Sequence, residues 1–92
     1  MPENVSAITR IHDDESARYI KTKLTFREPI VWDGGIYVSL DVSTVAAPDN
    51  KACEGETAVF GPIGTGILNG MQERHSADEA ITAHFDMVGK LQ

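Results

Sequence analysis

The sequence is poor in several features that would narrow its function. It contains one cysteine, Cys53, so no disulfide can form within the chain, which agrees with a reducing compartment. No window approaches the roughly 18 consecutive apolar residues that a membrane-spanning helix needs. The first residues, Met-Pro-Glu-Asn, lack the cationic start and apolar core of a secretory signal. We therefore expect a cytoplasmic protein that makes no membrane contact.

Basic residues are scarce compared with acidic ones. Eight lysines and arginines stand against fourteen aspartates and glutamates, a net charge of −6. Such a charge repels nucleic-acid phosphates, so we predict no direct nucleic-acid binding. A negative surface can instead meet a basic protein surface or imitate a nucleic acid. A net charge of magnitude about 2–8 is, however, also what solubility alone favours in a small domain.

The size and composition are those of one globular domain. With 92 residues, 41% of them hydrophobic and 24% charged, the chain can build a single core and no second one. We expect one compact domain over residues 1–92.

Two segments alternate between inward and outward positions with the period of a β-strand. The first runs from Arg18 to Phe26 and the second from Ile36 to Ser43. Between them Pro29 lacks an amide donor and interrupts the ladder, and Asp33-Gly-Gly35 favours a hairpin turn. The alternation predicts two long strands, each with one buried and one wet face.

The other segments give weaker signals. The first fifteen residues fit a strand or a short helix, and the strand is the preferred interpretation. Ala46 to Gly55 is rich in turn formers and indicates a loop, whereas Thr57 to Phe60 predicts a third strand. The glycine-rich segment Gly61 to Gly70 is either a mobile loop or a wide hairpin, followed by extended residues before the last element.

The last element is an amphipathic helix. Ser76 and Glu79 have the spacing of a capping box, so the predicted helix spans Ser76 to Leu91. Its predicted apolar face consists of Ala77, Ala80, Ile81, His84, Phe85, Val88 and Leu91. The fold class that follows is α+β: an antiparallel sheet of four to six strands with one C-terminal amphipathic helix packed on it.

The chain offers little material for catalysis or metal binding. His75 and His84 are nine positions apart, which is not the i, i+4 spacing of a metal-binding helix, and thiolate partners are lacking. The turn around His12 contains residue types of a hydrolytic triad, but neighbours on a turn rarely aim at one point. His84 is best interpreted as a satisfied, half-buried histidine, with a functional role as the alternative. We predict no catalytic residues, no metal and no cofactor.

Partner-binding candidates come from three places. The acidic turn Asp13-Asp14-Glu15 can meet a basic surface, and Trp32 and Tyr37 flank the predicted hairpin turn, where they form either a core pair or an exposed anchor. Ile63, Ile67 and Leu68 lie among the glycines after the third strand. They serve either as docking groups or as a cap folded over the edge of the sheet.

Three motifs between residues 42 and 88 resemble a known group of proteins. They are Val42-Ser-Thr-Val45, Glu56-Thr-Ala-Val-Phe-Gly61 and the pattern R-x-S-x-x-E-A-x-x-x-H-x-x-M-V between residues 74 and 88. They resemble small bacteriophage-encoded proteins of unknown function, in which a VSTV strand precedes an ETxVFG strand and a helix with this pattern. The resemblance implies a phage gene and a shared role for His84, but no activity.

We therefore expect a small non-enzymatic accessory protein, of the anti-defence type, that binds and inhibits or modulates a bacterial host protein or defence complex. One alternative is a virion or assembly protein, which would self-associate through an exposed strand edge. A second is a small hydrolase using His12 or His84. Both a monomer and a homodimer remain open.

Overall fold

The computed structural model describes residues 5–32, 35–62 and 66–92, which form a sheet and a helix. The elements are β1 (Val5–Asp13), β2 (Arg18–Trp32), β3 (Gly35–Ala46), β4 (Gly55–Phe60), β5 (Ile67–His75) and α1 (Ala80–Leu91). The five strands are antiparallel and lie in the order of the chain, β1-β2-β3-β4-β5. The α+β prediction, including the strand preferred for the first residues, is confirmed.

The long hairpin of β2 and β3 forms the centre of the sheet. Its register is regular from Arg18↔Ala46 to Thr25↔Ser39, shifts, and resumes from Ile30↔Tyr37 to Trp32↔Gly35. Pro29 lies within the shift, where the missing amide donor costs no regular ladder bond. The predicted interruption is therefore a local irregularity, and β2 continues past it.

The described residues on either side of positions 63–65 belong to the wide hairpin of the two alternatives, because β4 and β5 pair antiparallel. The Gly61 amide donates to the Gly66 carbonyl at 3.0 Å, and β5 begins at Ile67. The β4–β5 register shifts between Ala58 and Phe60. Asn69 and Gly70 have positive φ angles of 49° and 68°, the left-handed backbone that glycine and asparagine tolerate best.

The helix begins later than predicted. Ser76 and Glu79 do interact, with the Glu79 amide donating to Ser76 Oγ at 3.3 Å and the Ser76 hydroxyl donating to Glu79 Oε1 at 2.9 Å. These bonds close a turn that precedes the helix, and α1 itself starts at Ala80. The glutamate reaches the serine side chain instead of its amide, so the capping box is only half formed.

The buried face of α1 is also rotated from the predicted one. The buried residues are Ala80, Ala83, His84, Met87, Val88 and Leu91. Ile81 and Phe85, which were predicted to be buried, are 48% and 46% exposed. The helix packs on the sheet with the side that carries Ala83 and Met87. The small Ala83 allows close approach, and the flexible Met87 side chain fills the remaining space.

The core lies between α1 and one face of the sheet, which we call the inner face. Its largest members include Leu24 of β2, Leu40 and Val42 of β3, Val59 of β4 and Leu68 of β5, together with Met87, Val88 and Leu91 of the helix. The opposite side, which we call the open face, has no element packed over it within the described residues.

Candidate functional site

A chain of hydrogen bonds between side chains crosses the middle of the core. Thr22, Thr44 and Thr57, on the inner face of β2, β3 and β4, are at most 1% exposed, and His84 of α1 is 0% exposed. His84 Nε2 lies 2.7 Å from the Thr22 hydroxyl, and His84 Nδ1 lies 2.8 Å from the Thr44 hydroxyl. The helix is therefore joined to two central strands by one imidazole.

The chain extends in both directions from these central bonds. On one side the Thr22 hydroxyl lies 2.7 Å from that of Thr9 in β1. On the other side Thr44 bonds Thr57 at 2.7 Å, and Thr57 bonds His75 Nε2 at 2.8 Å. We call these six residues the threonine–histidine network: Thr9, Thr22, His84, Thr44, Thr57 and His75. It links four adjacent strands, the helix and the end of β5.

The donor and the acceptor of each hydrogen bond in this network can be assigned by starting at His75. His75 Nδ1 lies 2.9 Å from the Ser76 carbonyl, which can only accept, so Nδ1 of the neutral ring carries the proton. Nε2 of His75 must then accept from Thr57, which in turn accepts from Thr44. Thr44 therefore accepts from His84 Nδ1, leaving His84 Nε2 to accept from Thr22. The hydroxyls of Thr22, Thr44 and Thr57 each donate once and accept once, and the exposed Thr9 donates to Thr22.

Burial keeps His84 neutral. Removal of the ring from water lowers the pKa of His84 from 6.5 to about 4. Both ring nitrogens are occupied by threonine hydroxyls, and the Phe85 ring meets the imidazole edge-on with centroids 5.1 Å apart. The prediction of a satisfied histidine is confirmed, although the ring is fully rather than half buried.

The three histidines do not come together around a common cavity. His12 is paired with Tyr19 on the open face of the sheet, whereas His84 lies beneath the inner face. Among the described residues, no group of three or more histidine, cysteine or carboxylate side chains is placed to hold a metal ion. The sulfur of Cys53 lies 3.2 Å from the Gly55 carbonyl in the loop before β4.

The acidic turn Asp13-Asp14-Glu15 lines a surface pocket of about 460 Å³ at one end of the sheet. Asp49 from the loop after β3 and Asp78 from the turn before α1 also line it. Within this turn Arg18 donates to Asp13 at 2.7 Å, and this hydrogen bond lowers the pKa of the Asp13 carboxyl. The turn is exposed, and its role as a partner contact stays a prediction.

The other end of the sheet carries exposed apolar residues. Val31 and Ile36 are directly paired across β2 and β3 and are 71% and 70% exposed, and Val38, two residues further on the same strand, is 52% exposed. These three side chains share one face beyond the end of the helix, and we call them the hairpin patch. Valine and isoleucine are stiff side chains that a partner can bury with little loss of rotamer freedom.

The remaining predicted contact residues have different positions. Tyr37 is half-buried and packs against the core, and Ile67 is 39% exposed at the start of β5. Leu68 is only 3% exposed, so its prediction as a partner contact is wrong: it folds inward and covers the core edge. The Trp32 side chain and Ile63 lie outside the described residues.

The surface charge is unevenly distributed, which total composition cannot show. The strand registers place Arg10, Lys21, Lys23 and Arg74 on the open face, with Asp41 and Glu56 as its acidic members. This face therefore has a net charge of +2 on a protein of −6. The negative surface expected from the total charge does not extend to this face, because strand alternation directs Arg10, Lys21 and Lys23 to the same side.

The network is the feature that sequence reasoning missed. Its signal was present, since Thr22, Thr44 and Thr57 stand at inward positions of strands whose other inward positions are mainly apolar. Three such threonines and a histidine at the centre of a helix face are polar groups that must pair with one another when buried. Pairing them required the strand registers, which the sequence alone does not supply.

The comparisons with known proteins supply no relative from which a role could be taken. No family model, no curated protein and no solved structure matches this chain. In the part of the chain that the structure describes, no helix has the length and apolar character to cross a membrane, and α1 has 12 residues.

Proposed function

We propose that this protein is a small non-enzymatic accessory protein of the phage type, which binds a bacterial host protein or defence complex through the hairpin patch. The observation that carries the proposal is the exposure of Val31 and Ile36, 71% and 70%, at the end of a hairpin that extends past the helix. Exposed apolar side chains that are grouped together, rather than scattered singly, mark interaction surfaces.

The rest of the molecule supports a binding role in two ways. All four ring nitrogens of His84 and His75 have hydrogen-bond partners, and the two bonds of His84 join the helix to the sheet. The patch itself lies on paired strands, because Val31↔Ile36 stands between the pairs Ile30↔Tyr37 and Trp32↔Gly35. Side chains on paired strands lose less conformational entropy on binding than side chains on an unpaired loop.

The phage assignment and the bacterial target rest on the resemblance of residues 42–88. The anionic rim on the acidic turn Asp13-Asp14-Glu15 suits a partner with a basic surface. The hairpin patch and this rim lie at opposite ends of β2, so a partner that covers both must span the length of the sheet.

The test is affinity capture from a bacterial host lysate, with quantitative mass spectrometry of retained proteins. We expect the wild-type chain to retain one partner in stoichiometric amount and Ile36→Asp to lose it. Ile81→Asp is the matched control, because it makes the same change at a side chain that is 48% exposed on the helix. Circular dichroism and thermal unfolding of both variants establish that the fold is intact.

Two results would refute the proposal. One is the absence of any stoichiometric partner of the wild-type protein. The other is a partner that Ile36→Asp and the wild type retain equally, since the hairpin patch would then take no part in binding.

A further inference from the structure

The two edges of the sheet are built differently. At the β5 edge the register shifts between Ala58 and Phe60, and the positive φ angles of Asn69 and Gly70 distort the strand. Such a bulge prevents another strand from pairing along the edge. At the β1 edge, nine consecutive pairs run from Val5↔Phe26 to Asp13↔Arg18 without a shift. One edge is therefore blocked and the other is straight.

β1 also lacks the side chains that usually protect an edge. Between Val5 and His12 it has no proline and no glycine, and Arg10 is its one charged residue. Ile8 is 58% exposed on the open face and Ile11 is 55% exposed on the inner face. A regular edge strand with apolar groups on both faces is a template for pairing with another strand.

We propose that β1 pairs antiparallel with β1 of a second copy of this chain, about a two-fold axis perpendicular to the sheet. The pairing joins two five-stranded sheets into one sheet of ten strands. Both helices then lie on the same side, over their own β2, β3 and β4. Because each copy contributes its β1, no free β1 remains and the assembly stops at a dimer.

The sequence of β1 selects one register for this pairing. The two-fold axis keeps each face on its own side, so residues can pair only if they point to the same face. With Ile8 on the axis, Ile8 meets Ile8 of the second copy and Ile11 meets its Val5. In the same register Arg10 lies opposite Ser6. Apolar groups therefore meet on both faces, and no like charges are opposed.

Other registers are less favourable. With Thr9 on the axis, Arg10 lies opposite Ile8 and Asp13 lies opposite Val5, so charged groups meet apolar ones. With Arg10 on the axis, two guanidinium groups face each other, which is repulsive. With Ala7 on the axis, the strands overlap over fewer described residues. The self-complementarity of the register centred on Ile8 is the reason to assign the edge to a second copy rather than to an unrelated strand.

The core of each copy favours the same register. Val5 is half-buried and packs against the core cluster of its own chain. Ile11 of the second copy, placed beside it, extends this apolar surface across the axis. A single strand pair buries less than about 1,200 Å² in total, the size of transient complexes, so we expect a dissociation constant on the order of 10–100 μM.

Sedimentation velocity tests the proposal over protein concentrations of about 5–500 μM, a range that includes the expected dissociation constant. The mass should rise with concentration from 10.0 kDa towards twice that value. Ile8→Lys places two ammonium groups opposite each other on the axis and should raise the dissociation constant at least about 30-fold. Ile36→Lys, at a side chain 70% exposed on the hairpin patch, is the matched control and should leave it unchanged.

A third variant tests the register. Ser6→Asp places a carboxylate opposite Arg10 in the register centred on Ile8, and should lower the dissociation constant about two- to five-fold at low salt. Three results would overturn the proposal. They are a monomer at the highest concentration, a dimer that Ile8→Lys does not weaken, and a dimer that Ile36→Lys abolishes. A dimer that Ile36→Lys abolishes would assign self-association to the hairpin patch. All three results come from the purified protein alone, so they can be told apart from a failure of the host-partner capture.

Discussion

Protonation of His84 should destabilise the folded protein by an amount that its burial sets. Removal of the ring from water lowers the pKa of His84 from 6.5 to about 4. Between these values the unfolded chain binds more protons than the folded one, so the free energy of unfolding falls as the pH falls. The stabilisation is complete above about pH 6.5 and lost below about pH 4. At about 1.4 kcal/mol for each pKa unit, it amounts to about 3 kcal/mol.

The hydrogen-bond network explains why desolvation, rather than a lost hydrogen bond, dominates this cost. A charged imidazole donates from Nε2 as well as from Nδ1, so the Thr22 hydroxyl must turn from donor to acceptor. Thr22 can then donate to Thr9, and the exposed Thr9 can donate to water. The network accommodates the extra proton by reversing one arm, but the charge remains 0% exposed in the core.

Urea unfolding at pH 7.5 and pH 4.5 measures the effect, with His84→Gln as the reference that cannot titrate. Other titrating groups contribute to both proteins, so the difference between the proteins isolates His84. At pH 4.5 the wild type should lose about 2.5 kcal/mol more than the variant. With a slope of about 1–3 kcal/mol per molar urea, its midpoint should fall by about 0.8–2.5 M further.

The reasoning is refuted if the two proteins lose the same stability, within about 0.5 kcal/mol, between the two pH values. That outcome would mean that the folded protein solvates the His84 cation as well as the unfolded chain does. Nitrogen chemical shifts of the imidazole provide an independent check, because the network requires the proton of neutral His84 to be on Nδ1.

Four further substitutions test the packing of the described residues. A Cβ at Gly55 would lie 2.6 Å from His75 Nδ1, so Gly55→Ala must displace the ring at the end of the network and should cost roughly 1–3 kcal/mol. Gly89→Ala meets open space on the helix and should stabilise the protein by about 0.4–1 kcal/mol. Met87→Ala should cost about 2–5 kcal/mol, because the side chain is 4% exposed in the core. Ile81→Ala should change stability by no more than about 0.5 kcal/mol, and equal losses at these two positions would show that the helix face is misassigned. Chemical denaturation measures all four.

The correct predictions from the sequence came mostly from strand alternation and from the residues that favour turns. The period of two in Arg18 to Phe26 and Ile36 to Ser43 is intrinsic to a pleated strand, so it identified β2 and β3 before any contact was known. The glycines after Trp32 marked the hairpin in the same way. Helix bounds and orientation were less well predicted, because Ile81 and Phe85 are as apolar as the residues that are buried. Which of them faces the sheet depends on the approach of the helix.

The chain by itself determined the strands β2, β3 and β4, the presence of a C-terminal helix and the inward direction of Thr22, Thr44 and Thr57, because these follow from local periodicity. Tertiary structure alone decided that the three threonines meet two histidines in one proton-ordered network, since that depends on the registers of strands and on the position of α1. It also decided that Arg10, Lys21 and Lys23 form a positive face on an acidic protein, and that β1 is a straight, open edge. Charge totals and local patterns carry no information about which strands are neighbours in the sheet. The residues that share a surface depend on that strand order.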